Sequence, residues 1–124
     1  MDHSPGFLKA VNEALSRVEE ITLDETSERL ARNPKAVLLD VREDSEWLKG
    51  HAAQAKHLGK GILERDIETS FPDPNTELLM YCGGGYRSAL AADSAQRMGY
   101  KNVFSVMGGY KAMVKANWPM KQGD

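Results

Sequence analysis

Apolar residues recur at helical spacing near the start of the chain. Phe7, Leu8, Val11, Leu15 and Val18 share one face, and Pro5 stands where a first helical turn tolerates it. The pattern predicts an amphipathic helix over 5–20. Ile21-Thr22-Leu23 then reads as a short strand, Asp24 as the N-cap of a helix over 25–32, and Asn33-Pro34 as its end. Three runs follow that show no polar–apolar alternation: Ala36–Leu39 leading into Asp40-Val41-Arg42, Leu78–Tyr81 ending at Cys82, and Val103–Met107 ending at Gly108-Gly109. Such strands are buried on both faces, as in a parallel sheet covered by helices. Ala55–Leu58 is a weaker strand candidate. Helical patterns fill the intervals at 45–49, 62–70, 87–98 (stopped by Gly99) and 109–117. The alternation predicts an α/β fold of three layers, α/β/α, around a central, mostly parallel sheet. Ligands of such sheets sit at the carboxyl ends of the strands, and Asp40–Arg42, Cys82 and Gly108-Gly109 all fall on that edge.

Composition narrows the chemistry. A chain of 124 residues fits one domain, and 41% hydrophobic with 27% charged residues describes a soluble globular protein. The organisation expected is an N-terminal helical extension over 1–20, one domain over 21–118 and a C-terminal tail over 119–124. A formal charge of −2 argues against broad binding to nucleic acid or to anionic membranes. No apolar run approaches the roughly 18–20 residues of a membrane span. The opening MDHSPGFLKA lacks the basic and apolar regions of a signal peptide, so a cytoplasmic location is the default expectation. One cysteine, Cys82, leaves no internal disulfide framework, no CxxC redox pair and no multi-cysteine zinc site. His3, His51 and His57 are not spaced like metal ligands. Any chemistry is therefore metal-free or depends on that thiol.

Tyr81-Cys82-Gly83-Gly84-Gly85-Tyr86-Arg87-Ser88 joins a buried strand to the start of the strongest helix. Three glycines permit positive φ and a close backbone approach to a bound group. A loop of this kind turns successive N–H groups inward as an anion nest. The helix N-terminus adds partial positive charge, and Arg87 adds a full charge on a planar donor fork. Each term favours a thiolate over a thiol, which makes Cys82 a nucleophile and its sulfur a site where an attached anion is stabilised. The plainer reading of a lone strand-end cysteine is a small buried hydrophobe; the glycines, the arginine and the helix together weigh against it.

With these residues in place the chain resembles the rhodanese-like sulfurtransferases over about residues 21–118. The resemblance rests on Leu38-Leu39-Asp40-Val41-Arg42-Glu43, Glu46-Trp47-Leu48-Lys49-Gly50-His51, the Cys82–Ser88 loop, Ala89-Leu90-Ala91-Ala92, Met98-Gly99-Tyr100 and Met107-Gly108-Gly109-Tyr110. It implies a five-stranded parallel sheet between helices. It also implies a sulfurtransferase that moves a sulfane sulfur from a small anionic donor such as thiosulfate to cyanide or a thiol, through a persulfide on Cys82. The amides of Gly83, Gly84, Gly85, Tyr86, Arg87 and Ser88 would hold the persulfide anion, and Arg87 would support the loop or meet the donor. No metal or organic cofactor is implied, and no nucleic-acid or membrane partner. Two displacements through a covalent intermediate predict ping-pong kinetics.

Two other functions fit the same residues. One is a persulfide relay or docking module acting protein to protein, with a partner protein's thiol as acceptor. The other is a cysteine-dependent phosphatase or arsenate reductase; these resemble Cys-x5-Arg, whereas four residues separate Cys82 from Arg87, making a smaller cup, and no general-acid aspartate follows the loop. Asp40 and Arg42 read as a structural pair pinning a strand end. His51 reads as a backbone-bonded histidine orienting a turn, Trp47 as a helix anchor in the core, and His57 as a strand-edge residue without a role. Gly108-Gly109 read as a turn that lets the last helix approach the loop closely. The chain departs from the family in carrying Ala53-Gln54 where Pro-Gly is common, in lacking the Arg-Lys pair of the two-domain thiosulfate enzymes, and in placing bulky Tyr86 in the loop.

Overall fold

The computed structural model, which describes residues 3–124, has among those residues the strands β1 (Glu19–Ile21), β2 (Val37–Asp40), β3 (His51–Ala52), β4 (Lys56–His57), β5 (Leu78–Tyr81), β6 (Val103–Val106) and β7 (Met120–Lys121). Five of them pair in parallel as one sheet in the order β1-β6-β5-β2-β4. β3 and β7 form a separate antiparallel pair, so part of the segment expected to be a tail is tied back to the domain. The helices are α1 (Pro5–Leu15), α2 (Leu23–Arg32), α3 (Asp44–Lys49), α4 (Leu63–Ser70), α5 (Tyr86–Arg97) and α6 (Gly109–Lys115).

The unalternating strands are buried on both faces. Along β5 and into the loop, Leu78, Met80 and Cys82 point into one core with Ile67 of α4 and Ala91, Ala92 and Ala95 of α5. Leu79 and Tyr81 point into the other with Ile21, Leu38, Phe104 and Met113, against which Leu23 and Leu30 of α2 pack. Two cores, one on each side of a single parallel sheet, make the three-layer α/β/α fold. Small alanines on the inner face of α5 let that helix lie close to the sheet. β5 is the middle strand, so Cys82 leaves the sheet at the centre of its carboxyl edge.

Local differences from the sequence expectation have local causes. The first helix ends at Leu15 rather than near residue 20. The strand after it is Glu19–Ile21, two residues early; at the sheet edge, paired only with β6, its two glutamates reach solvent while Ile21 is buried. Thr22, not Asp24, caps α2: the Glu25 N–H donates to Thr22 Oγ1 at 3.1 Å, and Asp24 lies in the first turn, where its charge still favours the helix dipole. β3 and β7, two residues each, are too short to leave a periodic signal.

α1 packs on α5 through buried Val11 and Ala14. Just beyond it, Arg17 donates to both oxygens of Asp93 at 2.9 Å, and Arg97 donates to Asp93 at 3.0 Å. The hydrogen bond from Arg17 holds the Asp93 carboxyl down at about 2 despite its burial, with Arg97 adding to the effect. The folded value lies below the unfolded one, so this stabilisation is fully present above the ordinary carboxylate range and is lost as pH falls through about 2. Chemical denaturation of wild type and Arg17→Ala across pH should therefore show a stability gap at neutral pH that closes in strong acid. A gap independent of pH would mean that the ion pair does not tie α1 to α5.

Candidate active site

Cys82 Sγ is the acceptor of two backbone N–H groups, Gly85 at 3.1 Å and Ser88 at 3.3 Å. The chain can curl back this way because Gly85 takes a φ of +104° as the N-cap of α5. Gly83 and Gly84 do not use positive φ. At Gly83 a Cβ would come within 3.1 Å of the Arg87 guanidinium, whereas at Gly84 there is open space. Of the amides from Gly83 to Ser88, those of Gly85 and Ser88 aim at the sulfur itself.

Behind the sulfur lie two buried hydroxyls. The Cys82 thiol donates to Ser88 Oγ at 3.5 Å, and Ser88 Oγ is 2.8 Å from Ser105 Oγ. A hydroxyl pair serves either ionisation state: Ser88 accepts from the thiol, or turns to donate to a thiolate while accepting from Ser105. Ser105 carries a signal of its own in the sequence, a polar side chain inside an apolar strand run.

The last turn braces the loop from the other side. Tyr110 N–H donates to the Cys82 carbonyl at 2.7 Å and Lys111 N–H to the Gly83 carbonyl at 3.1 Å. Gly108 and Gly109 have φ of +76° and +56°, and a Cβ on Gly109 would collide with the carbonyls of Cys82 and Gly83. The close approach expected of this glycine pair is present.

Arg87 is engaged by a residue the sequence reading did not pair with it. Its Nη1 and Nη2 donate to Glu46 Oε1 and Oε2 at 2.7 and 3.0 Å. Glu46 Oε1 also accepts from the Glu43 N–H at 3.1 Å, fixing the start of α3. The bond from Arg87 lowers the Glu46 pKa, and the bond to Glu46 in turn raises that of Arg87. The guanidinium charge is thus compensated beside the loop, and no local pattern announces a pair 41 residues apart.

Asp40, Arg42 and His51 are buried but do not line the cleft at Cys82. Arg42 pairs with Asp40 at 2.8 Å, donates to the Gly50 carbonyl at 2.6 Å and lies 4.1 Å over the Tyr110 ring. Burial opposes its charge, but the bond to Asp40 prevails and its pKa is raised. His51 Nδ1 bonds the Trp47 carbonyl at 2.8 Å. These side chains pin the α3–β3 turn. Trp47 is not a core anchor: it is half-buried, its ring stacked with that of His51 and with that of His57. His57, on the edge strand β4, also bonds the Arg42 carbonyl through Nε2 at 2.9 Å.

Cys82 is itself only 1% exposed. It forms the floor of an open cleft of about 610 Å³ whose walls include His3, Phe7, Glu46, Tyr86, Arg87 and Lys111. The residues leading into α1 and its first turn, expected only as an N-terminal extension of the domain, therefore supply one wall of the site.

The fold that holds this cysteine is one that other proteins share. A solved structure from Rhodopseudomonas palustris CGA009, of unknown function and described as a possible tyrosine phosphatase, is 30% identical, covers 98% of both chains and superposes with a TM-score of 0.81. The polysulfide-sulfur transferase homodimer of Wolinella succinogenes is 25% identical, with 94% of this chain and 88% of that one covered and a TM-score of 0.80. YrkF of Bacillus subtilis (strain 168), named as a candidate sulfur carrier protein, is 29% identical over 100 residues, 81% of this chain. The chain spans about half of that relative's length, 53%. The model of the Rhodanese-like domain matches residues 22–116, from the cap of α2 to the end of α6, and by that match the chain belongs to the rhodanese-like domain family.

Proposed function

We propose that the protein is a sulfurtransferase that carries a sulfane sulfur as a persulfide on Cys82. The observation that carries the reading is the pair of N–H groups, Gly85 and Ser88, directed at a sulfur on the floor of an open cleft. In the first displacement the Cys82 thiolate attacks the outer sulfur of a donor. With thiosulfate, the S–S bond breaks and sulfite leaves with the electron pair. In the second, cyanide or a thiolate attacks the terminal sulfur, taking it as thiocyanate or as a new persulfide and returning the Cys82 thiolate. Both steps move anionic sulfur among donors already in place, so stabilisation needs no reorganisation. The inward amides hold the inner sulfur, and the loop from Gly83 to Arg87 faces the outer one. A reducing, cytoplasmic setting would keep the single thiol available.

A relay to a partner protein's thiol is the second reading, favoured by the resemblance to a candidate sulfur carrier. Phosphatase chemistry is disfavoured: the four-residue spacing makes a small cup, and Arg87, the side chain that would clamp a tetrahedral oxyanion, is engaged by both oxygens of Glu46.

Intact-mass spectrometry after incubation with thiosulfate or another sulfane donor tests the proposal. The protein should gain the mass of one sulfur and lose it on addition of cyanide; an unmodified protein with every donor would overturn the reading. Fast transfer onward to protein thiols with slow transfer to cyanide would identify the relay. Because Arg87 is tied to Glu46, Arg87→Ala should slow loading by charged and uncharged donors by a similar factor, through loss of loop support. Selective slowing with anionic donors would show instead that the guanidinium meets the donor.

A further inference from the structure

Three aromatic rings stand over the cleft without a core to serve. His3 meets the edge of Tyr86 at 4.6 Å between centroids and lies 5.2 Å from Phe7, and Phe7 and Tyr86 are edge-on at 6.2 Å. Tyr86 is 40% exposed although it belongs to the Cys82 loop itself. The wall is held in place from behind, since α1 is anchored on α5 by Val11 and Ala14. Charge is distributed differently. Arg87 is compensated by Glu46, whereas Lys111, whose N–H braces the loop, forms no side-chain ion pair among the described residues and lines the same cleft. The volume of about 610 Å³ suits a small organic molecule better than a small inorganic ion.

We propose, resting on the sulfur-transfer reading, that this cleft selects an organic sulfur carrier with an apolar, preferably aromatic body and an anionic sulfur end, its body against Phe7, Tyr86 and His3 and its charge near Lys111. An organic thiosulfonate has this chemistry. Its outer sulfur is attacked by the Cys82 thiolate, the S–S bond breaks, and the sulfinate leaves with the electron pair, so atoms and charge balance with no further reactant. The rings supply a partly desolvated surface for the body, and a solvated lysine supplies attraction without the geometric demand of a fork.

Benzenethiosulfonate and methanethiosulfonate are the probes. The rate of sulfur loading onto the full chain is followed by intact mass, each rate divided by that of the same donor with a free small-molecule thiol. The phenyl-to-methyl ratio is expected to be about tenfold or more, the range for one partly buried ring. It should fall toward one in Tyr86→Ala and in Phe7→Ala and be retained in Phe7→Leu, while Lys111→Gln should slow both donors and leave the ratio unchanged. Tyr86 lies on the surface, so its variant tests the wall even where Phe7→Ala weakens α1. Loading from both donors with a ratio near one, or a ratio untouched by Tyr86→Ala, overturns the aromatic selection and leaves sulfur transfer standing. No loading from either thiosulfonate beside loading from thiosulfate or another sulfane donor overturns the selection and leaves sulfur transfer standing; no loading from any of these donors overturns both.

Discussion

Cys82→Ser is expected to give a folded protein that accepts no sulfur. The substitution changes one atom at a fully packed position, and a serine hydroxyl can still accept from Gly85 and Ser88 and bond the Ser88–Ser105 pair. Thermal unfolding should therefore move by no more than about 1–2 kcal/mol, within the range of ordinary single substitutions. The chemistry, by contrast, is removed outright. A serine oxygen is not ionised at neutral pH and forms no stable sulfur–sulfur bond. Mass spectrometry should show no added sulfur from any donor, and turnover to thiocyanate should fall by at least about a thousandfold, to background. A Cys82→Ser protein that still gains a cyanide-labile sulfur would require another carrier, and the sequence holds no second cysteine.

Gly109→Ala is expected to cost as much as a large core truncation, although it adds a single methyl group. The Cβ would be driven into the Cys82 carbonyl and would lie 2.9 Å from the Gly83 carbonyl carbon, both main-chain atoms with no rotamer to yield. The residue also sits at a φ of +56°, which disfavours side chains independently. Relief demands that α6 back away, breaking the bonds from Tyr110 and Lys111 to the loop carbonyls. Steric strain and two lost hydrogen bonds together suggest about 3 kcal/mol, a drop in Tm of roughly 10 °C for a chain of this size. Sulfur loading should fall as well, because the same displacement disturbs the loop that aims the amides at Sγ. Gly84→Ala is the internal control: its Cβ meets nothing within 4 Å, so stability should be nearly unchanged. Equal melting temperatures for Gly109→Ala and wild type would mean that the α6–loop contact is soft.

Much of the fold is legible in the sequence alone. Leu38-Leu39, Leu78–Tyr81 and Val103–Val106 lie in the strands their unalternating pattern predicts, because burial on both faces leaves a mark on consecutive residues. α5 begins one residue before its predicted start, at the residue after the loop's one glycine with positive φ. The expectations that moved depended on a choice between neighbours of similar chemistry. Thr22 and Asp24 are both good caps, and only the backbone φ and ψ at Thr22 selects between them. Trp47 has the size of a core residue, yet it stacks on two histidine rings from the short strands β3 and β4 and stays half-buried.

The amino-acid sequence by itself determined the layers, the strand that ends at the thiol, and the glycine-rich turn that allows backbone N–H groups to face it. These depend on spacing over a few residues, which periodicity and backbone freedom record directly. Only the tertiary structure decided the rest of what surrounds the sulfur: Glu46 neutralising Arg87, and His3 and Phe7 walling the cleft from the far end of the chain. Each is a contact between segments distant in sequence, fixed by how helices seat on a sheet, and a single chain read in order holds no local trace of such meetings.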